Sequence, residues 1–359
     1  MRIERLRLSN LRNIESLDVG LAPGINFFVG PNGAGKTSIL EGAYVLSHGG
    51  SFRTSQSAVL IRRGAESVAI HADVDRAAGP MKLDMLSLGS GWQMKINGDR
   101  APTLAAGLAE FALVCFEPGS HALISGGSAE RRRFLDWILF HVEHEYIAAA
   151  RSYRRTLQQR NALLKASGPE SELRLWDLEL VAAAERLTAL RQAIFPTYAI
   201  ELANILSIFL PELGAAAATF RRGWTEERAL QDVLSETHGV DRSRGHTTRG
   251  PHRADWAIRF EKAPSREQLS RGQEKLCALA CVLAQARVYS TAKLEPPVVA
   301  LDDFASELDR AHQTTAMNLL RATGSQILVT GVETPGDWGS NNGANQLFHV
   351  EHGQLRGLV

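Results

Sequence analysis

The spacing of apolar positions predicts strands in the front of the chain and helices in its middle. Ile3–Leu8 reads as a strand, Pro23-Gly24 as a turn, and Ile25–Val29 as a short apolar strand that feeds directly into a glycine-rich loop. Between Val68 and Val74 every second residue is apolar (Val68, Ile70, Ala72, Val74), the period of a half-buried antiparallel strand. Met81–Leu88 and the neighbourhood of Lys95-Ile96 add strands, with Asn97-Gly98 as a hairpin turn. Leu113–Phe116 is a compact apolar run suited to the middle of a sheet.

From about Ala129 to about Leu213 the pattern becomes helical. Trp176, Leu180, Ala183, Leu187, Leu190 and Ile194 recur at alternating four- and three-residue steps, with Pro196 following. Gly168-Pro169 breaks the run into two antiparallel helices. The seam is shorter than about three heptads, which suits a core-facing amphipathic helix better than an intermolecular coiled coil. His238–Arg253 is polar and rich in Gly and Arg and reads as a loop. A long helix from about Gly272 and strands at Val298–Leu301 and Ile327–Thr330 follow. The expected division is 1–128, a β-rich part carrying the glycine loop; 129–237, a helical lobe; and 238–359, which completes the first part.

Composition narrows the class without naming a function. Hydrophobic residues at 44% and charged residues at 22% describe an ordinary globular chain. No apolar run reaches the roughly 18 residues that span a bilayer, and Met1-Arg2-Ile3-Glu4-Arg5 lacks the apolar core of a signal peptide. Cys115, Cys277 and Cys281 cannot build a disulfide framework, which points to a reducing cytoplasm, and without a spanning run no membrane partner is expected. Cys277 and Cys281 lie four apart on the expected helix and read as small buried packing residues, since no second ligand pair stands nearby. A net charge of +1 gives no global field for a polyanion, so any nucleic-acid surface must come from local basic clusters.

The strongest chemical signal is Gly30-Pro31-Asn32-Gly33-Ala34-Gly35-Lys36-Thr37, which fits G-x-x-x-x-G-K-[ST] at every fixed position. A strand precedes it, and Ser38-Ile39-Leu40-Glu41 continues as a helix, so a chance glycine turn is disfavoured. In such a Walker A loop the glycines turn backbone N–H groups onto phosphates and the helix N-terminus adds positive potential. Lys36 then reaches the β- and γ-phosphates of ATP, and the Thr37 hydroxyl holds Mg²⁺.

Val298–Leu301 ends in Asp302-Asp303, as a Walker B strand should. Asp302 is the expected Mg²⁺ partner and Asp303 the catalytic group that orients the attacking water. Leu269-Ser270-Arg271-Gly272-Gln273-Glu274-Lys275 carries an S-x-G-Q core ahead of a helix rich in Ala and Leu. Ser270, Gly272 and Gln273 at that helix start form a second anion site. The phosphate loop already surrounds its own nucleotide, so this second end is expected to close over ATP held by another copy, making an ATP-driven homodimer.

Walker A, S-x-G-Q signature, Walker B and the D-loop-like Ala305-Ser306-Glu307-Leu308-Asp309 stand in the order found in ABC ATPases. The interval from Lys36 to Ser270 is too short for the arms of SMC and Rad50 proteins, and no C-x-x-C zinc hook exists. Leu11-Arg12-Asn13, Ser51-Phe52-Arg53-Thr54, Arg131-Arg132-Arg133-Phe134-Leu135-Asp136 and Gly250-Pro251-His252-Arg253-Ala254-Asp255 resemble the RecF family of SMC-like ABC ATPases. With the other motifs the resemblance covers essentially the whole chain. It implies an α/β fold: an ABC-type ATPase head, with a P-loop NTPase core plus an antiparallel β lobe, and an inserted α-helical lobe. It also implies ATP-dependent dimerisation on double-stranded and gapped DNA, slow DNA-stimulated ATP hydrolysis, and action with RecO and RecR to help load RecA.

The chain departs from the family pattern at Pro118-Gly119-Ser120-His121, where P-E-D-L is usual, and at Asp303, where ABC enzymes place Glu. An aspartate is one methylene shorter, which predicts slow turnover. Thr330-Gly331 stands where transporter ATPases carry a switch histidine; Thr330 is a candidate for the γ-phosphate region. Arg12 either touches nucleotide or closes the first turn. Arginines cluster at Arg62-Arg63, Arg131–Arg133, Arg151/Arg154/Arg155, Arg221-Arg222 and Arg242/Arg244/Arg249/Arg253, each a DNA-phosphate surface or a solvated face. No sequence-reading motif accompanies them. An ABC transporter ATPase subunit and a nucleotide-sensing SMC-like scaffold remain the alternative readings.

Overall fold

The computed structural model describes residues 1–89, 91–263, 265–333 and 344–357. In chain order its elements are β1 (Arg2–Leu11), β2 (Ile14–Gly20), β3 (Ile25–Val29), α1 (Lys36–His48), β4 (Val68–Asp75), β5 (Met81–Ser87), β6 (Trp92–Ile96), β7 (Asp99–Arg100), α2 (Leu104–Leu108) and β8 (Leu113–Phe116). Then come α3 (Ala122–Ser125), α4 (Ser128–Val142), α5 (Tyr146–Lys165), α6 (Glu170–Phe209), β9 (Ala216–Arg221), α7 (Leu230–Arg244) and β10 (Asp255–Phe260). The chain continues with α8 (Arg271–Lys293), β11 (Val298–Leu301), α9 (Phe304–Glu307), α10 (Arg310–Thr323), β12 (Ile327–Gly331), β13 (Gln346–Glu351) and β14 (Gln354–Gly357).

Two compact units result, Met1–Ser120 with Lys275–Val359, and His121–Glu274. The breaks expected after residues 128 and 237 thus fall after Ser120 and Glu274. The reason lies in side-chain ties: Asp241 is bound to Arg160 and Asp255 to Arg131, which secures residues 238–274 to the helical unit.

The first unit holds two six-stranded sheets. One is antiparallel, in the order β2-β1-β4-β5-β6-β7, and buries Ile3, Leu6, Leu8 and Leu11 of β1 completely. The strand β2 was not anticipated from the sequence pattern. Asn97 and Gly98 both take positive φ, as a two-residue hairpin between β6 and β7 requires. The other sheet runs β14-β13-β3-β12-β11-β8, parallel throughout except for β14 at one edge. Its strands β3, β11 and β12 are buried at every position, the mark of a parallel sheet covered on both faces. Val29 pairs with Gly331, and Leu301 with both Val329 and Phe116, so β3, β12, β11 and β8 end side by side. Loops at the carboxyl ends of such strands are where α/β sheets hold ligands.

The second unit is helical around a two-stranded antiparallel sheet of β9 and β10. In α6 the expected seam is present, with Leu180, Ala183 and Leu187 buried beside Tyr153 of α5 and Leu230, Val233 and Leu234 of α7. The helix does not stop at Pro196 but runs on to Phe209. It also contains an 18-residue window of mean hydropathy 1.2, long and apolar enough by composition to cross a membrane, although no unbroken apolar run suggested one. Its Arg191 is buried in an ion pair with Asp136 of α4, which fits a helix of the unit's interior. A second core gathers Trp256, Phe134, Phe195 and Tyr198. The segment expected to be a loop, 238–253, is helical to Arg244. Gly245 ends α7 at φ 67°, and buried Asp241 anchors the last turn.

Candidate nucleotide site

Residues at the head of α1 are shaped by contacts far away in sequence. Gly30 has φ 157°, and a Cβ there would lie 2.2 Å from the Val350 carbonyl of β13, so no larger residue fits. Gly35 has φ 110°, with Asn13 directly against it. The Asn13 amide donates to the Gly33 carbonyl at 3.2 Å and accepts from Ser38 Oγ at 3.2 Å. Gly353, in the β13–β14 turn, donates its N–H to the Ala34 carbonyl at 2.7 Å. Pro31, Asn32 and Gly33 form the exposed crest. Lys36 is buried, and its Nζ donates to the carbonyls of Gly30 at 2.8 Å and Pro31 at 3.0 Å. The ammonium thus lies folded against the loop, where an incoming phosphate can compete for it.

The acidic side converges on the same point from β11 and β12. Thr37 Oγ1 donates to Asp302 Oδ1 at 2.9 Å, and Thr330 Oγ1 donates to the same oxygen at 2.7 Å. Burial raises the Asp302 carboxyl above its ordinary range, reinforced by the charge of Asp303; the hydroxyls of Thr330 and Thr37 and the positive charge of Arg53 oppose that shift. Asp303 follows in the left-handed region at φ 47°, and its N–H is held by Thr330 Oγ1 at 2.8 Å. Among the described residues no group of three or more His, Cys, Asp or Glu is placed to hold a metal. A hydroxyl beside one carboxylate nevertheless suits Mg²⁺, which keeps several waters and takes its remaining oxygens from a bound triphosphate.

Arg12 does not reach outward. Its guanidinium makes a bidentate pair with fully buried Glu41, at 2.8 and 2.7 Å, and adds the Val59 carbonyl at 3.2 Å. Ser51 also donates to Glu41, and its Oγ accepts the N–H groups of Arg53 and Thr54. Arg53 is exposed, acts on Asp302 through its charge, and its guanidinium makes no hydrogen bond among the described residues. In the sequence Arg53 stands out only by its place in Ser51-Phe52-Arg53-Thr54. In the second unit Ser270, Arg271 and Gly272 are exposed at the start of α8. Ser270 Oγ accepts the Gln273 N–H at 3.2 Å, and Gln273 Oε1 accepts the Ser270 N–H at 3.0 Å, a reciprocal cap. Gln273 also donates to Glu212 at 3.2 Å.

The two arginine-bearing motifs of the second unit lock each other. Arg131 pairs with both oxygens of Asp255, at 2.7 and 3.1 Å, and its carbonyl accepts Trp256 Nε1 at 2.8 Å. Arg132 donates to the Ala254 carbonyl at 2.7 Å. Asp136 holds Arg191 at 2.8 and 2.7 Å, and Arg191 in turn donates to the Pro251 carbonyl at 2.8 Å. Of the expected basic clusters, therefore, Arg131, Arg132, Arg222 and Arg242 are drawn into the fold. Arg133, Arg151, Arg154, Arg155, Arg221, Arg244, Arg249 and Arg253 remain exposed.

Comparison with known proteins agrees with this geometry. The family model described as RecF/RecN/SMC N terminal domain matches residues 2–352. The DNA replication and repair protein RecF of Stenotrophomonas maltophilia is 44% identical, over 99% of this chain and 99% of that one. RecF of Edwardsiella ictaluri is 37% identical over 99% of each. A solved structure described as the recombination mediator protein RecF-ATP in the RecFOR pathway superposes with a TM-score of 0.90 at 25% identity, over 99% of this chain and 97% of that one. An Smc head bound to the C-winged helix domain of ScpA shares the fold at a TM-score of 0.61 and 16% identity, over 100% and 97%. The fold is that of an ABC-type ATPase head, as the motif order implied. With a family model spanning almost its entire length and full-length identity of 44%, the chain belongs to the RecF family.

Proposed function

We propose that this chain is an ATP-dependent recombination mediator of DNA repair and replication: a cytoplasmic protein that dimerises on double-stranded or gapped DNA when it binds ATP. The observation that carries the reading is the convergence of the Thr37 and Thr330 hydroxyls on one oxygen of Asp302 beside the loop that buries Lys36. The backbone of Gly30–Thr37 and the Ser38 N-terminal turn cradle the triphosphate, Lys36 binds its β- and γ-oxygens, and Thr37 with Asp302 holds Mg²⁺. Asp303 orients the attacking water, and its short side chain makes for slow hydrolysis to ADP and phosphate; its stimulation by DNA follows from the family resemblance. Ser270, Gly272 and Gln273 cap the ATP of a second copy. Arg12 supports the site through Glu41. The RecFOR pathway in which the RecF-ATP structure is described supports RecO and RecR as partners, and RecA follows from the family resemblance. Nothing among those relatives favours a transporter subunit or a nucleotide-sensing scaffold.

The test is sedimentation of Asp303→Asn in saturating ATP and Mg²⁺, with and without a gapped duplex. Asn tolerates the left-handed conformation of Asp303, so the loop is kept while the water loses its anionic base. A stable ATP-bound dimer is expected. A species that stays monomeric with ATP bound would sink the reading.

A further inference from the structure

The helical unit carries a cleft of about 730 Å³ whose lining includes Arg221, Arg244, Arg249 and Arg253. Asp255 also lines it, but both of its oxygens are taken by Arg131, and Arg221 stands 3.5 Å away. The other three arginines are exposed, and their guanidinium groups make no hydrogen bond or ion pair among the described residues. Gathering like charges around one depression is unfavourable unless a polyanion neutralises them.

Their backbone is held fast. Arg253 lies between the carbonyls of Pro251 and Ala254, which are pinned by Arg191 and Arg132. Beside it, His252 is fastened by Tyr153 at 2.6 Å and by the Thr247 carbonyl at 3.0 Å. Arg249 follows Thr248, whose N–H and hydroxyl both bind buried Asp241. Arg244 closes α7 just ahead of the left-handed Gly245. An anchored scaffold that ends in unpartnered guanidinium groups lowers the ordering cost of binding. Trp224 also lines the cleft, but its ring is covered by Arg222 at 4.6 Å, which leaves little face for a base to stack on. Several cations without a stacking surface suit successive phosphates of a strand, read without regard to sequence.

We propose that this cleft seats the phosphodiester backbone of duplex DNA, with Arg244, Arg249 and Arg253 as direct phosphate contacts. The proposal rests on the reading that the protein acts on DNA. Arg151, Arg154 and Arg155 of α5 are exposed too, but line no part of the cleft and serve as the comparison.

The experiment titrates a fluorescent 30-base-pair duplex with the full chain plus ATP at several salt concentrations. It compares wild type, R244Q/R249Q/R253Q and R151Q/R154Q/R155Q, with thermal unfolding as the check on folding. The cleft variant is expected to bind at least about tenfold more weakly, with the slope of log Kd against log salt reduced by roughly 2 to 3, about 0.9 per phosphate contact. The α5 variant is expected to keep the wild-type slope. A cleft variant with unaltered slope, or a loss confined to the α5 variant, overturns the assignment while the DNA reading stands. Wild-type protein that binds no duplex would defeat the DNA reading itself. If tripolyphosphate displaces the duplex at an equal concentration of phosphate, the cleft serves a free polyphosphate and the proposal fails. Should the glutamine variant not fold, R244K/R249K/R253K replaces it, with near-wild-type slope expected and a lost slope contradicting a purely electrostatic contact.

Discussion

Thr330 donates its hydroxyl to Oδ1 of Asp302 at 2.7 Å while accepting the backbone N–H of Asp303 at 2.8 Å. One side chain at the end of β12 thus orients both acids at the end of β11. Replacing it with Val keeps the shape but leaves the Asp303 N–H without an acceptor. Thr330→Val is expected to lower ATP turnover about tenfold, some 1.4 kcal/mol, with ATP affinity changed far less. Steady-state hydrolysis and ATP titration separate the two; unaltered turnover would deny Thr330 its positioning role.

The glycines of the phosphate loop differ in what they tolerate. At Gly30 a methyl would meet the Val350 carbonyl at 2.2 Å, whereas at Gly33 nothing lies within 4 Å. Gly30→Ala is expected to cost about 1–3 kcal/mol of stability and at least tenfold in ATP affinity. Gly33→Ala carries only the strain of its φ of 80°, roughly 1 kcal/mol. Thermal midpoints and nucleotide titrations of both variants check the ranking.

Three successive arginines have different duties. Arg131 is nearly buried against Asp255, while Arg133 is exposed beside Glu130. Arg131→Met strands the Asp255 carboxylate and should cost about 3–5 kcal/mol in denaturant unfolding. Arg133→Gln should stay within about 0.5 kcal/mol. Equal effects would contradict the assignment.

His252 gives a pH signature. Burial, with the charges of Arg253 and Arg132, lowers its pKa to about 4 against the pull of the Thr247 carbonyl and Asp241. Its ring contacts imply the neutral form, with Nε2–H donating to Thr247 and Nδ1 accepting from Tyr153. The unfolded chain protonates this histidine near pH 6.5 and the folded chain only near 4, so between them the unfolded state binds more protons. Stability is therefore undiminished above about pH 6.5 and is lost as pH falls toward 4, by at most ~3 kcal/mol. His252→Gln should flatten that part of the stability curve; a slope equal to wild type would rule this histidine out as its source.

Motif spacing marked the glycine loop before α1, the acidic end of β11 and the capped start of α8, because each depends on local chain geometry. Regular alternation likewise marked β4, and Met81–Leu88, Leu113–Phe116 and Val298–Leu301 overlap β5, β8 and β11. What stayed hidden was set by distant partners. Arg12 looks like any exposed cation until Glu41 is found beneath it. Residues 238–244 look like a loop because their polar composition masks a helix fastened by Asp241 to Arg160. Asn13 and Gly353 brace the phosphate loop from opposite ends of the sequence, and no local pattern announces such contacts. Likewise Arg131 and Arg133 are indistinguishable on paper, since only Asp255 decides between them.

The β13–β14 turn gives residues some three hundred positions away an unexpected influence on the phosphate loop. Val350 leaves room above Gly30 for hydrogen alone, and Gly353 tethers Ala34. A nonsense codon just before the turn would spare every Walker residue yet take away the prop beneath their loop. Inactivating lesions around Val350–Gly353 would then mimic lesions in Gly30–Thr37.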